Sequence, residues 1–330
     1  MQRKLLTIIS AFFLLAPPSI AGAAEVRAFH NINQLPFKQI FGLPSLDNSP
    51  LTEAGAWRLN FIANISNTYD FSTNASEDYA TDVETFRGAV TVAYAWRNNF
   101  QVGLEVPYIN YDSGSFDDFI YNWHDFFNMP QNGRSEDTND QFQVSYTAPS
   151  GSTYEMSGPE SGIGDIRINC TYSRPWKDRQ FIFSSELKLP TGDYDKLTGS
   201  GGYDLSVGLM FNDPQSLAKY RLTFFGGLAG IYLGDSDGDL AEDQNNFALA
   251  GRAGIGWQAT KLIQLKMQLD AQSALYDSDL KELGDLAMQL VMGGSLTFSD
   301  KAYLDISVAE DIITTTAPDV AFQLALVLTF

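Results

Sequence analysis

The chain has 330 residues, and 21 Lys and Arg against 40 Asp and Glu give it a net charge of −19; that balance excludes nucleic acid as a partner, since phosphates are neutralised by clustered cations. Only 18% of residues are charged while 44% are hydrophobic, which excludes a disordered acidic chain. One Cys excludes an internal disulfide, and two His leave little for metal or catalytic chemistry, so no cofactor is expected.

Residues 1–24 read as a signal peptide: Gln2-Arg3-Lys4 is a basic start, Leu5 to Leu15 is apolar, and Ala21-Gly22-Ala23 is a small-residue cleavage site. Residues 25–55 are too irregular for a membrane strand, and their Phe37, Phe41 and Leu43 need cover. This N-terminal segment is expected to plug the periplasmic mouth of the following domain, a disordered tether being the alternative.

From residue 56 to 330 the chain alternates with period two. Trp57-Arg-Leu59-Asn-Phe61 sets the pattern, and eleven further segments repeat it, at 86–96, 100–108, 166–172, 181–189, 203–211, 220–232, 247–257, 263–275, 288–298, 302–308 and 320–330. Short connections alternate with long ones, at 67–84, 112–161, 190–202, 233–246, 276–285 and 310–319, which carry a net −25 between them, more than the charge of the whole chain. Aromatic residues (Trp57, Trp96, Phe100, Tyr172, Phe181, Phe211, Tyr220, Trp257, Phe298 and Phe330) gather beside the short turns. Short periplasmic turns, long outer loops and an aromatic girdle are the pattern of an outer-membrane barrel. The fold class is therefore all-β: a transmembrane, antiparallel, up-and-down barrel of twelve strands, in the outer membrane of a Gram-negative bacterium. Phe330, closing an apolar strand, is expected to serve as the assembly signal.

The charges on the strands all fall on the face opposite the lipid: Arg58, Arg87, Arg167, Lys188, Arg221, Arg252 and Lys266 against Glu105, Asp165, Glu186, Asp204, Asp270 and Asp305. Such a balanced lumen is expected either to fill the interior with ion pairs or to form a narrow mixed-charge constriction that selects small polar or zwitterionic solutes. In the long connection 112–161, Ser115 is a helix cap, and Phe116, Phe119, Ile120, Trp123 and Phe127 form one helical stripe, stopped by Pro130. This stripe is expected to fold over the mouth as a lid, or else to pack on neighbouring loops without gating. Residues 142–146 and 153–156 read as a hairpin above the membrane, with fourteen strands as the alternative. Asp235, Asp237 and Asp239 have a calcium-loop look but lack the full ligand pattern. Lipopolysaccharide bridged by divalent ions explains them equally.

The expected function is a narrow channel for a small solute, the alternative a structural or adhesive barrel. An outer-membrane lipid hydrolase is the rival class, but His30 precedes the first strand and His124 has no serine at nearby alternating spacing, so no enzyme is expected. Expected partners are outer-membrane lipids, lipopolysaccharide, the barrel-assembly machinery, periplasmic chaperones and the solute.

Asn33-Gln34-Leu35-Pro36, Ile40-Phe41-Gly42-Leu43-Pro44, Trp123-His124-Asp125-Phe126-Phe127 and the closing Phe resemble a family of Gram-negative outer-membrane proteins known as a domain of unknown function. Gly162-Ile-Gly-Asp-Ile-Arg167 with Leu187-Lys-Leu-Pro-Thr-Gly192 is similar to a motif of outer-membrane channels associated with degradation of aromatic compounds. The resemblance implies a barrel and places Asp165, Arg167 and Lys188 on strands flanking a loop.

Overall fold

The computed structural model describes residues 26–113 and 142–330. Fifteen strands form one antiparallel sheet: β1 (Trp57–Thr73), β2 (Asp78–Arg97), β3 (Phe100–Asp112), β4 (Gln143–Thr147), β5 (Thr153–Met156), β6 (Glu160–Ile163), β7 (Ile166–Trp176), β8 (Arg179–Leu189), β9 (Asp204–Leu217), β10 (Leu222–Leu233), β11 (Phe247–Gln258), β12 (Ile263–Gln272), β13 (Ala287–Ser299), β14 (Ala302–Asp311) and β15 (Val320–Thr329). The sheet closes because β1 pairs with both β2 and β15: Asn64 stands opposite Arg87 on one side and Gln323 on the other. Trp57 and Phe330 exchange main-chain hydrogen bonds of 3.1 and 2.8 Å at the seam, so the final residue completes the ring. β6 and β7 together make one stave, and β4 and β5 stand outside the ring as a hairpin on β2. The result is a closed barrel of twelve staves.

Alternation sorts the side chains as the pleat requires. Arg58, Asn64 and Ser66 on β1 are buried, while Trp57 and Phe61 on the same strand are exposed. Around the ring, Leu104, Ile168, Phe183, Val207, Leu228, Leu249, Ile306 and Leu324 are exposed too. No soluble surface carries a belt of this extent; it is the hydrocarbon-facing surface of a barrel. Trp57, Trp96, Tyr172, Phe211, Tyr220, Phe298 and Phe330 are exposed at the short-turn end of it.

β7 and β9 run on into the expected short turns, to Trp176 and Leu217, and two further differences from the sequence expectation change how the chain is read. Residues 67–84 are not a loop but the outer part of a β1–β2 hairpin, paired in register from Trp57↔Tyr94 to Thr73↔Asp78. At ~3.3 Å per residue and a tilt of ~40°, a 17-residue strand rises roughly 43 Å, well beyond a ~25 Å apolar band. Above the band both faces meet water or other loops, so the apolar alternation fades while the ladder continues. Arg221 is the second correction. Ala218–Tyr220 is a 3-10 turn, Arg221 follows it with a left-handed φ of 60°, and the strand resumes at Leu222. Arg221 therefore lies on the short-turn rim, donating to the Ala259 carbonyl at 3.2 Å, and not on the lumen face.

The outer loops are pinned together at Glu77, in the β1–β2 connection. Its carboxylate accepts hydrogen bonds from Tyr146 Oη (2.8 Å), Asn74 Nδ2 (3.0 Å), the Asp279 amide (2.9 Å) and Ser278 Oγ. Burial by itself would raise this carboxyl, but the bonds from Ser278, Asn74, Tyr146 and Asp279 outweigh it and hold Glu77 below the usual carboxylate range. Because the folded value is depressed, the stabilisation is complete above the ordinary pKa of 4.5 and is lost as pH falls through the lowered one. Proteolysis of the 148–152 turn should thus quicken on acidification from pH 6 to pH 3. In Glu77→Gln that turn should be open already at pH 6; an unchanged cleavage profile in the variant would dismiss the clasp.

Candidate functional site

The lumen is occupied by residues 26–51. The segment enters at the short-turn end, where the Val26 carbonyl accepts from Asn212 Nδ2 at 3.4 Å. It climbs along β12 and β13: the Phe29 amide donates to Gln268 Oε1 (2.9 Å), and Asn31 Nδ2 donates to Asp270 (3.0 Å) and Gln289 (3.2 Å). Higher up, Asn33 Nδ2 and Lys38 Nζ both donate to the Thr316 carbonyl, at 2.8 and 3.0 Å.

A single helical turn, Pro36–Gln39, forms the apex. Pro36 opens it because its fixed φ suits the first helical position and its missing N–H is not needed there. The turn pushes Phe37 among the rings of Tyr79, Tyr146 and Tyr154, with centroids 5.9, 5.9 and 5.6 Å away. Phe41 packs edge-on against Tyr276 at 5.7 Å. These residues, with Tyr111, Leu233, Leu275 and Leu283, make the largest buried apolar cluster, located in the outer half of the barrel.

On the way down, the barrel's cations hold the segment by its main chain. Lys188 Nζ donates to the Ile40 carbonyl (3.1 Å), Arg167 to Phe41 (3.2 Å) and Leu43 (2.9 Å), and Arg58 to Ser49 (2.6 Å). Arg252 reaches the Asn31 (3.1 Å) and Ser45 carbonyls, and Lys266 reaches Arg27 (3.1 Å). The Gly42 amide donates to Asp204 Oδ2 at 2.6 Å; a Cβ at Gly42 would stand 2.7 Å from that of Asp204, so only glycine permits this approach. Leu51 leaves beside Gln101, its amide 2.8 Å from Oε1.

Each of these wall cations also has an anion, as burial of charge demands. Lys188 lies 2.7 Å from Asp165 and 3.1 Å from Asp204 and bonds Ser200 Oγ. Asp165 further accepts from the amides of Thr191 (3.0 Å), Gly192 (2.8 Å) and Ser200 (3.1 Å). The two glycine-rich sequence motifs are thus one structure, a carboxylate in a nest of amides fixing the lysine. Arg252 grips Asp270 through Nε and Nη2 at 2.6 and 2.9 Å, and Lys266 meets Asp305 at 2.8 Å. Arg87 pairs with Glu105 at 2.6 Å, and the other Glu105 oxygen lies 2.9 Å from His30 Nε2. His30 is therefore engaged by a carboxylate, with no serine in that contact. Arg167 and Glu186 are farther apart, at 3.9 Å. A cavity of about 100 Å³ remains in the short-turn half, lined by His30, Asn60, Glu105, Asn169, Glu186 and Tyr303 among others.

Twelve of the thirteen sequence-nominated lumen residues point inward and Arg221 does not. Most of the acceptors those cations use were not foreseen, because a main-chain carbonyl has no signature in sequence. The expected lid residues Phe116, Phe119, Ile120, Trp123 and Phe127 lie outside the described residues. Asp235 accepts from Asn246 Nδ2 at 3.2 Å, and the side chain of Asp239 also lies outside what is described. Among the described residues no group of three His, Cys, Asp or Glu stands close enough to hold a metal.

The family model described as "Protein of unknown function (DUF3187)" matches residues 4–330. The chain belongs to the DUF3187 family. No curated protein matches it. Among solved structures this DUF3187 chain is similar to the COG4313 outer membrane channel from Pseudomonas putida F1, at 13% identity and a TM-score of 0.53, over 88% of this chain and 98% of that one. It is also similar to the NanC porin, at 8% identity and a TM-score of 0.47, over 82% of this chain and 98% of the porin. The first likeness shows the fold. The apolar belt and the closed ring of this DUF3187 member are those of a barrel in the outer membrane of a Gram-negative bacterium.

Proposed function

We propose that the protein is a narrow outer-membrane channel for a small polar solute, held shut by residues 26–51 acting as a plug. The observation that carries this reading is where the lumen cations end. In a barrel filled for strength alone, wall charges pair across the interior. Here five of them bond to main-chain carbonyls of a segment that both enters and leaves at the short-turn end, and a cavity remains beside it. The expected aromatic lid on residues 116–127 is a second barrier in this reading. Lipid surrounds the belt, lipopolysaccharide and its divalent ions meet the acidic outer loops, and periplasmic chaperones and the assembly machinery read the terminal strand ending at Phe330.

Planar-bilayer conductance of the refolded mature chain tests this. The intact protein should pass little current, and deletion of residues 27–50 should raise single-channel conductance at least tenfold. A third arm lacking residues 115–130 measures the lid. Silence in all three would overturn the channel reading and favour a structural or adhesive barrel.

A further inference from the structure

The short-turn end is charged oppositely to the outer loops, which hold a net −25. On the β7–β8 hairpin Arg174, Lys177 and Arg179 fall within six residues. That hairpin outruns its neighbour. β3 begins at Phe100, opposite Tyr172, while β7 and β8 stay paired through Arg174↔Phe181, Pro175↔Gln180 and Trp176↔Arg179. Pro175 suits this free edge, because beyond the Ser173 amide, which meets the Asn99 carbonyl, β3 asks β7 for no further N–H. The pleat sets the direction of the side chains. Tyr172 and Phe183 stand opposite each other on the apolar belt and are exposed, so Arg174 and Trp176, two and four residues past Tyr172, point outward from the barrel as well.

At ~3.3 Å per residue along a tilted strand, Arg174 lies about 5 Å past Tyr172, the depth of lipid headgroups beside an interfacial aromatic girdle. The neighbouring β2–β3 turn extends the patch. It is bonded to β7 through the Ser173 amide, 2.8 Å from the Asn99 carbonyl, and it carries Arg97, whose guanidinium lies over the Trp96 ring, 4.9 Å from the centroid. Lys177 Nζ stands over the Trp176 ring in the same way, at 5.4 Å. The rings hold these cations without neutralising them. Two acids are near. Asp213 is engaged by Arg179 Nε and Ser216 Oγ, both at 2.7 Å, and Asp178 is exposed at the hairpin tip. Arg97, Arg174 and Lys177 are all exposed, and among the described residues none of the three forms an ion pair.

Cations that face sideways at headgroup depth, flanked by tryptophan, meet lipid. A zwitterionic headgroup brings its own ammonium into this positive patch, whereas an anionic one brings a phosphate that arginine grips through two N–H groups. The acidic outer loops repel an anionic lipid from the opposite leaflet unless divalent ions bridge the two. We propose that the outward face of the β7–β8 hairpin, with Arg97 beside it, binds the headgroup of an anionic phospholipid in the periplasmic leaflet, where the short turns of an outer-membrane barrel lie. The site needs the barrel alone and stands whether or not the lumen conducts.

Native mass spectrometry of the detergent-refolded mature chain, titrated with phosphatidylglycerol and separately with phosphatidylethanolamine, tests it. The wild type should bind phosphatidylglycerol about tenfold more tightly. Arg174→Gln should cut that preference about fivefold, and Arg174→Gln combined with Lys177→Gln should abolish it. Both side chains are exposed, so both variants should refold, and the single one keeps the test open should the double one not. Lys301→Gln, on the β13–β14 turn across the ring, should leave the preference unchanged. Equal binding of the two lipids by the wild type, a preference that the Arg174 variants keep, or one lost as fully in Lys301→Gln, would overturn the site. Soluble polyglutamate should not displace the lipid; displacement would assign the patch to an acidic protein and overturn the lipid as its occupant.

Discussion

Replacing Lys188 with Met should destabilise the barrel by about 3–5 kcal/mol, the cost of leaving buried carboxylates without their counter-charge. Asp165 and Asp204 are 4% and 1% exposed, so water does not compensate them. The substitution also removes the donor to Ile40, so the plug loses an attachment just below its apex. Urea unfolding followed by tryptophan fluorescence should show a lower midpoint, and bilayer recordings should show more frequent openings. Adding Asp204→Asn should recover part of the loss, because one of the two stranded charges is then gone; the pair must be non-additive. A Lys188→Met variant as stable as wild type would mean that the cluster contributes nothing.

Phe37→Ala should cost a similar ~3–5 kcal/mol, by a different route. The side chain is fully buried and touches rings from β2, β4 and β5, so its removal opens a void where the plug meets the outer loops. The damage should be local. The hairpin β4–β5 has no second strand neighbour beyond β2, and it leans on Phe37 for apolar contact. Protease should therefore cut the 148–152 turn much faster in the variant while the β-sheet circular dichroism stays intact. Equal cutting rates would show that the plug and the outer cap are independent.

The strands were legible because lipid enforces alternation more strictly than water does. Every outward position in the band must be apolar, so Phe61, Val90, Leu104 and Leu324 announce the pleat directly. The enforcement ends with the band, which is why the outer half of the β1–β2 hairpin read as loop. Arg221 read as lumenal because period two was extrapolated through a tight turn whose left-handed residue resets the register. The segment 26–51 was legible as a cover for the periplasmic mouth, from three buried-type residues in need of one. Its path was hidden, since it is held chiefly through carbonyls, which every sequence offers equally. One consequence of this shows in the wall itself. Arg167 stands directly opposite Lys188, a like-charge pairing that a sheet ordinarily disfavours, and it is tolerated because each turns to the plug and to its own carboxylate.

Both ends of the plug emerge at the same rim, Val26 beside Asn212 and Leu51 beside Gln101. In topological terms the segment is a tucked bight, not a strand threaded from one mouth to the other, and a bight leaves no knot when drawn out. Its removal breaks none of the ladder bonds of the ring, and its insertion can follow ring closure. Ring and segment are therefore separate parts: the cylinder's closure owes nothing to what fills it.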